Sequence, residues 1–124
     1  MADETTADLA ETWVDAYQRA WSSNDPDHIR ALFTPTAEYR TEPWVEPLRG
    51  HDAIVASWLE RRDEPGTFTF DWTVQGTDGP LAFIQGETAY TSGKTYSNLW
   101  VVWLAPDGRA MSFTEWWMDQ AKPS

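Results

Sequence analysis

The hydrophobic period of this chain changes once and does not change back. As far as Arg62, apolar residues recur at three- and four-residue spacing, whereas from Thr67 onward they fall on every second position. A chain patterned in this way folds as helices followed by an antiparallel sheet, and it buries both by laying the helices on one sheet face. The expected class is therefore α+β. Leu9, Trp13, Ala16, Tyr17, Ala20 and Trp21 form one apolar stripe and predict a first helix that stops near Ser22-Ser23-Asn24. Asp25-Pro26 supplies an N-cap acceptor and a proline suited to the first helical position. A short second helix should follow, with Ile29, Leu32 and Phe33 inward and Pro35 closing it. A short strand is expected at 37–41, then a loop at 42–50 constrained by Pro43 and Pro47. The third helix is expected at 52–62, with Ile54, Val55, Trp58 and Leu59 on one face.

In the second half, Phe68, Phe70, Trp72 and Val74 alternate with polar residues, as in a half-buried strand. Strands are also predicted at 81–90, 95–104 and 110–119, joined by turns at Ser92-Gly93 and Pro106-Asp107-Gly108. Either Gln85 and Glu87 or their neighbours face inward, and the register of that strand decides which. Residues 99–104 are apolar on both faces, so one face should meet the helices and the other a second copy of the chain. At 124 residues the chain has the size of one domain, expected to span 1–124 with an ordered core of about 8–120 and a frayed tail at 121–124.

Composition removes several function classes. There is no cysteine, hence no disulfide framework, zinc-thiolate site or thiol nucleophile. The acidic start, residues 1–11, lacks the basic and apolar regions of a secretory signal, and no apolar run is long enough to span a bilayer, which suggests a cytoplasmic protein. A formal charge of −11 would repel phosphate backbones and anionic lipid, so neither nucleic acid nor membrane is an expected partner. His28 and His51 form no HxH or HExxH pattern, and the glycines fall singly rather than in a phosphate-cradling run. Neither a metal nor a cofactor is expected. Nine tryptophans, five phenylalanines and four tyrosines suit a deep core, an aromatic-walled cavity or a subunit interface.

The order of elements, with Asn24 through Phe33, Tyr39 through Ile54, Pro106-Asp107-Gly108-Arg109 and Phe113-Thr114-Glu115-Trp116-Trp117, resembles the SnoaL-like branch of the nuclear transport factor 2-like superfamily. The resemblance covers nearly the whole chain. It implies a cone-shaped fold, three N-terminal helices on a curved antiparallel sheet, built around one pocket for a small molecule. It does not imply a reaction. Steroid Δ-isomerases of that superfamily use a carboxylate base with a tyrosine and a protonated aspartate at the oxyanion. Registered on Asn24 to Phe33, the oxyanion tyrosine corresponds to Tyr17, and the base to Thr41 or, with one residue of loop shifted, to Glu42. Counted back from the Gly108 turn, the oxyanion aspartate corresponds to Trp100, which cannot donate as a carboxyl, so isomerase activity of that kind is disfavoured.

The same registration turns Met111, Phe113, Glu115 and Trp117 inward, beside Trp100, Val102 and Leu104. A carboxylate among such side chains would have its charged form disfavoured and its pKa raised, and polyketide cyclases of this fold likewise use a pocket carboxylate as base. Glu115 and Tyr17 are therefore the candidate catalytic pair, a proton carrier and a donor to a developing oxyanion. The bland alternative is a structural hydrogen bond between them. Trp13, Trp21, Tyr39, Thr41, Glu42, Trp44, Trp58, Trp100, Val102, Phe113 and Trp117 are candidates for the pocket wall. Arg40 and Glu42 could pair at its mouth, His51 ranks below Glu115 as a base, and His28 should meet solvent. An epoxide hydrolase would need an Asp-Arg-Asp set, and Asp71 and Asp119 are expected on the outer side of their strands. Two functional classes remain: a cofactor-independent acid–base enzyme on a small hydrophobic oxygenated substrate, or a non-catalytic ligand-binding or dimeric interaction module in which Trp100, Trp117 and Trp44 plug the cone.

Overall fold

A computed structural model describes residues 5–121; residues 1–4 and most of the expected frayed tail, 122–124, lie outside them. Helix α1 (Thr6–Ser23) begins with a capping box, in which the Thr5 hydroxyl accepts from the Asp8 N–H and the Asp8 carboxylate accepts from the Thr5 N–H. It ends where Asn24 adopts a left-handed conformation at φ 52°. Helix α2 (Pro26–Arg30) starts as expected, on an Asp25 cap with Pro26 in its first turn, but stops earlier than Pro35. Leu32 is already a turn residue and Phe33 opens strand β1 (Phe33–Arg40). Pro35 thus lies in a strand, exposed, where the ladder to the neighbouring strand is interrupted between Phe33 and Glu38. A residue without an N–H is tolerated at such an irregularity. The expected loop at 42–50 contains a two-residue strand β2 (Leu48–Arg49), paired with Glu38 and Tyr39. Helix α3 (His51–Glu60) follows on Gly50, whose φ of 84° favours glycine.

Strands β3 (Phe68–Asp78), β4 (Leu81–Tyr90), β5 (Thr95–Leu104) and β6 (Ala110–Asp119) form the expected meander. The six-stranded sheet has the order β2-β1-β6-β5-β4-β3. It is not antiparallel throughout: β1 and β6 run parallel. Both enter the sheet from the same end, since β6 begins beside the α2–β1 junction, where the Ala110 N–H donates to the Leu32 carbonyl.

Beneath α1 the core is aromatic. Trp100 is fully buried and packs against Trp13, Tyr17, Phe70 and Phe113 at ring-centre distances of 4.4–6.1 Å. In β4 the inward residues are Ala82, Ile84 and Thr88, which leaves Gln85 and Glu87 outside. Met111 is a correction to the expected inward set. It is exposed, because an extra residue between the pairs Trp103–Ser112 and Leu104–Ala110 breaks the alternation there.

Gly86 of β4 shows how tightly the far side is packed. A methyl at its Cα would collide with the Phe70 ring and approach the Asp71 carbonyl oxygen to 3.1 Å. Phe70 cannot swing clear, being stacked on Trp100 at 4.7 Å. We expect Gly86→Ala to cost about 1–3 kcal/mol by overpacking. Urea denaturation checks this, and an unchanged midpoint would show that Phe70 repacks freely.

Candidate functional site

The helices cover the inner face of the sheet only at one end. Toward Leu104 and Ala110 the inward residues are sealed, whereas toward Tyr96 and Trp117 they line an open cleft. Two lobes share Trp21, Asp63, Tyr90, Glu115 and Trp117: an outer lobe of ≈ 420 Å³ and an inner lobe of ≈ 180 Å³ that reaches Tyr17, Tyr39 and Trp58. The lobes are therefore two parts of one site.

Glu115 is at their junction. Alternation along β6 turns it inward, opposite Trp100 of β5. The Tyr39 hydroxyl donates to its Oε1 at 3.1 Å and the Trp100 indole N–H to its Oε2 at 3.2 Å. Burial raises the Glu115 pKa to about 7, against the pull of those two donors and with a further push from the Asp63 charge. Tyr17 and Tyr39 both titrate well above the usual tyrosine range, chiefly through burial, then through Tyr39 and Glu115 for Tyr17 and through Glu115 for Tyr39. Both phenols therefore keep their protons, and that of Tyr39 is donated to Glu115.

Of the expected residues, Tyr17, Trp21, Tyr39, Thr41, Trp58, Glu115 and Trp117 come together around the cleft. The others do not line it. Trp100, Val102 and Phe113 are fully buried core under α1, although Trp100 reaches the site through its N–H. The indole of Trp13 donates to the Leu32 carbonyl at 2.9 Å and borders a separate groove beside the Pro106–Gly108 turn. Trp44 is 76% exposed in the turn after β1, and Glu42 occupies the same turn, where its carbonyl accepts from the Val45 N–H. Neither side chain lines the cleft, so Trp44 plugs nothing. Alternation assigns a face to each residue and is blind to where along that face the helices end.

The hydrogen-bond partner of Glu115 is Tyr39 rather than Tyr17. His51 is a structural residue, its Nε2 2.8 Å from the Phe33 carbonyl oxygen, and His28 pairs with Ser23 at 2.8 Å. Arg40 and Glu42 form no ion pair among the described residues. Asp71 is exposed on the outer face as expected, but Asp119 is opposite Tyr96 and so shares the concave side with Trp117. Position 119 has the same parity as 115 and 117, which places it there.

Asp63 is the main residue that sequence reasoning missed. Its Oδ2 accepts from the Trp21 indole at 2.8 Å and from the Tyr90 hydroxyl at 3.0 Å, and it borders both lobes. It lies in the irregular segment between α3 and β3, where no period exists to assign it a face. Thr88, Tyr90, Tyr96 and Asn98 complete the outer lobe. Their strand positions were legible in the sequence, but the open end of the cone was not.

A family model described as the SnoaL-like domain matches residues 14–119. No curated protein matches the chain. Among solved structures, an NTF-2-like protein of unknown function from Burkholderia xenovorans LB400 superposes with a TM-score of 0.72 at 16% identity, covering 94% of this chain and 88% of that one. A putative ketosteroid isomerase from Kribbella flavida gives 0.69 at 16% identity, covering 97% and 85%. An LEH-like epoxide hydrolase of M. tuberculosis gives 0.62 at 17% identity, covering 92% and 86%. At these identities the likeness is one of fold, a nuclear transport factor 2-like fold.

Proposed function

The chain belongs to the SnoaL-like domain family, and on that premise we propose that its cleft is the active site of a cofactor-independent acid–base enzyme of the isomerase, cyclase or dehydratase type. Its substrate is a small, largely apolar, oxygenated molecule. The observation that carries this reading is Glu115, a carboxylate raised to about 7 at the junction of an open cleft. A group poised near neutral pH both accepts and returns a proton efficiently. Glu115 removes a proton from the carbon beside a substrate carbonyl while Tyr17, a protonated phenol on the inner wall, donates to the developing enolate oxygen. Tyr39 holds Oε1 of Glu115 and aims the carboxylate. The proton then returns to a second carbon or to a leaving oxygen.

By sequence registration Trp100 corresponds to the oxyanion aspartate of the steroid Δ-isomerases, and its N–H is given to Glu115. That argues for a related proton transfer on a different substrate. The test is turnover and binding across a panel of cyclic ketones, steroids and epoxides with the parent, Glu115→Gln and Tyr17→Phe. Binding without turnover in all three would make the protein a non-catalytic carrier.

We propose further that the protein is a cytoplasmic homodimer joined through the outer sheet face. Trp103 and Trp116, 45% and 47% exposed, stand with Leu99 and Met118 on adjacent central strands, an apolar patch that needs covering. Trp103→Asp should raise the dimer dissociation constant at least about 30-fold, the effect of losing one central tryptophan contact. Sedimentation velocity reads this, and a parent protein that is monomeric throughout would exclude the dimer.

A further inference from the structure

Two carboxylates, Asp63 and Glu115, face the cleft, and neither is ion-paired among the described residues. Their four hydrogen-bond donors, Trp21, Tyr90, Tyr39 and Trp100, are all neutral groups, which hold the carboxylates in place without cancelling their charge. Both donors to Asp63 reach the same oxygen, Oδ2. The cations nearby form no ion pair with either carboxylate among the described residues. Lys94 borders the outer lobe from the exposed β4–β5 turn, Arg61 is exposed at the inner lobe, and Arg62 donates to the Leu59 carbonyl. Partly buried negative charge of this kind calls for a positive partner.

The walls have matching chemistry. Tyr90 and Tyr96 meet edge to face at 5.8 Å and 89°, and Tyr96 and Trp117 at 5.7 Å and 83°. These three rings form one corner of the outer lobe, and aromatic rings of this kind attract a cation that settles over a face. A second, independent feature is Asn98, only 6% exposed and yet part of the lobe wall. The Thr88 hydroxyl donates to its Oδ1 at 2.8 Å, and this fixes the amide. Among the described residues no hydrogen bond is made by its Nδ2, and no buried side-chain nitrogen lacks a partner, so this amide nitrogen opens onto the lobe, where a ligand oxygen can accept from it.

We propose that the ligand of this cleft carries a cationic amine, protonated or quaternary, which sits in the outer lobe against Asp63 and the Tyr90–Tyr96–Trp117 corner, with an oxygen within a few bonds of it that accepts from Asn98. The chemical class is a small amino ketone, for which an amino alcohol serves as a non-reacting analogue. This deepens the acid–base reading above and rests on it only in taking the same cleft as the ligand site.

The probe is choline, compared with its uncharged isostere 3,3-dimethylbutan-1-ol, and binding is followed by tryptophan fluorescence and calorimetry. Choline should bind at least about tenfold more tightly, as charge and cation–π contacts together supply. Asp63→Asn should remove most of that preference. Trp117→Leu, at the exposed rim where folding is not at stake, should weaken choline severalfold. Asn98→Leu should weaken choline but not tetramethylammonium, which has no oxygen. Choline binding no tighter than the isostere, or no measurable binding of either, overturns the proposal, as does a preference untouched by both Asp63→Asn and Trp117→Leu. Turnover by the parent and Glu115→Gln reports on proton transfer alone, so the two readings fail separately.

Discussion

Glu115→Gln is expected to lower turnover by about 10²–10⁴-fold, the range supplied by a positioned general base, while ligand binding persists. The same substitution should stabilise the fold above neutral pH. With a pKa raised from 4.5 to about 7, Glu115 binds its proton more tightly in the folded protein than in the unfolded chain. Its favourable contribution is complete below pH 4.5, declines as pH rises through about 7, and is absent above that. The full shift corresponds to at most about 3 kcal/mol, less for a carboxylate that keeps some contact with water. Glutamine has no charge to desolvate. The parent should therefore lose stability between pH 5 and pH 8, with the variant changing less over the same interval, as thermal melts at the two values would show. The pH–rate profile of the parent should rise through about pH 7, since the base must be ionised to act. A variant with normal turnover would remove Glu115 from the mechanism, and parallel melting curves would mean that the carboxylate is not desolvated.

That Glu115 would face inward followed from registration against the resembling family, and it does so because the ladder between β5 and β6 is unbroken from Ser112 to Asp119. Strands at 81–90, 95–104 and 110–119 agree with the expected limits because each run ends abruptly at turn residues. The extra residue at Met111 is different in kind. It depends on a mismatch of register between two strands, and neither strand alone carries a sign of it. The α2–β1 boundary was misplaced because Leu32 and Phe33 suit the buried side of a helix and of a strand equally well, and Pro35 ends the one as readily as it fits an irregular edge of the other. The site was half legible. Tyr17 and Glu115 follow from registration and alternation, whereas the bond between Tyr39 and Glu115 joins parallel strands 76 positions apart. Asp63 is set by a loop path that only the packed helix and sheet determine. Both misses are products of tertiary geometry, not of local propensity.

Trp100 connects stability to chemistry, and two substitutions separate its roles. It is fully buried, ringed by Trp13, Tyr17, Phe70 and Phe113, and its N–H holds Oε2 of Glu115. Trp100→Ala should leave a cavity at the centre of the core and cost about 3–5 kcal/mol. That is a large part of the roughly 5–15 kcal/mol that holds a domain together, and the thermal midpoint should fall by roughly 10–20 °C. Trp100→Phe keeps most of the apolar contact and removes only the indole donor, so its loss should be nearer 1–3 kcal/mol. With that donor gone, Glu115 loses one of the two hydrogen bonds that favour its ionised form, and its titration should move above about 7. The rising, acidic limb of the pH–rate profile in Trp100→Phe would then shift to higher pH with a folded enzyme. If the limb stayed in place, the Trp100 bond would be structural only, and burial and the Asp63 charge would account for the poise of Glu115 with Tyr39 as its one opposing donor.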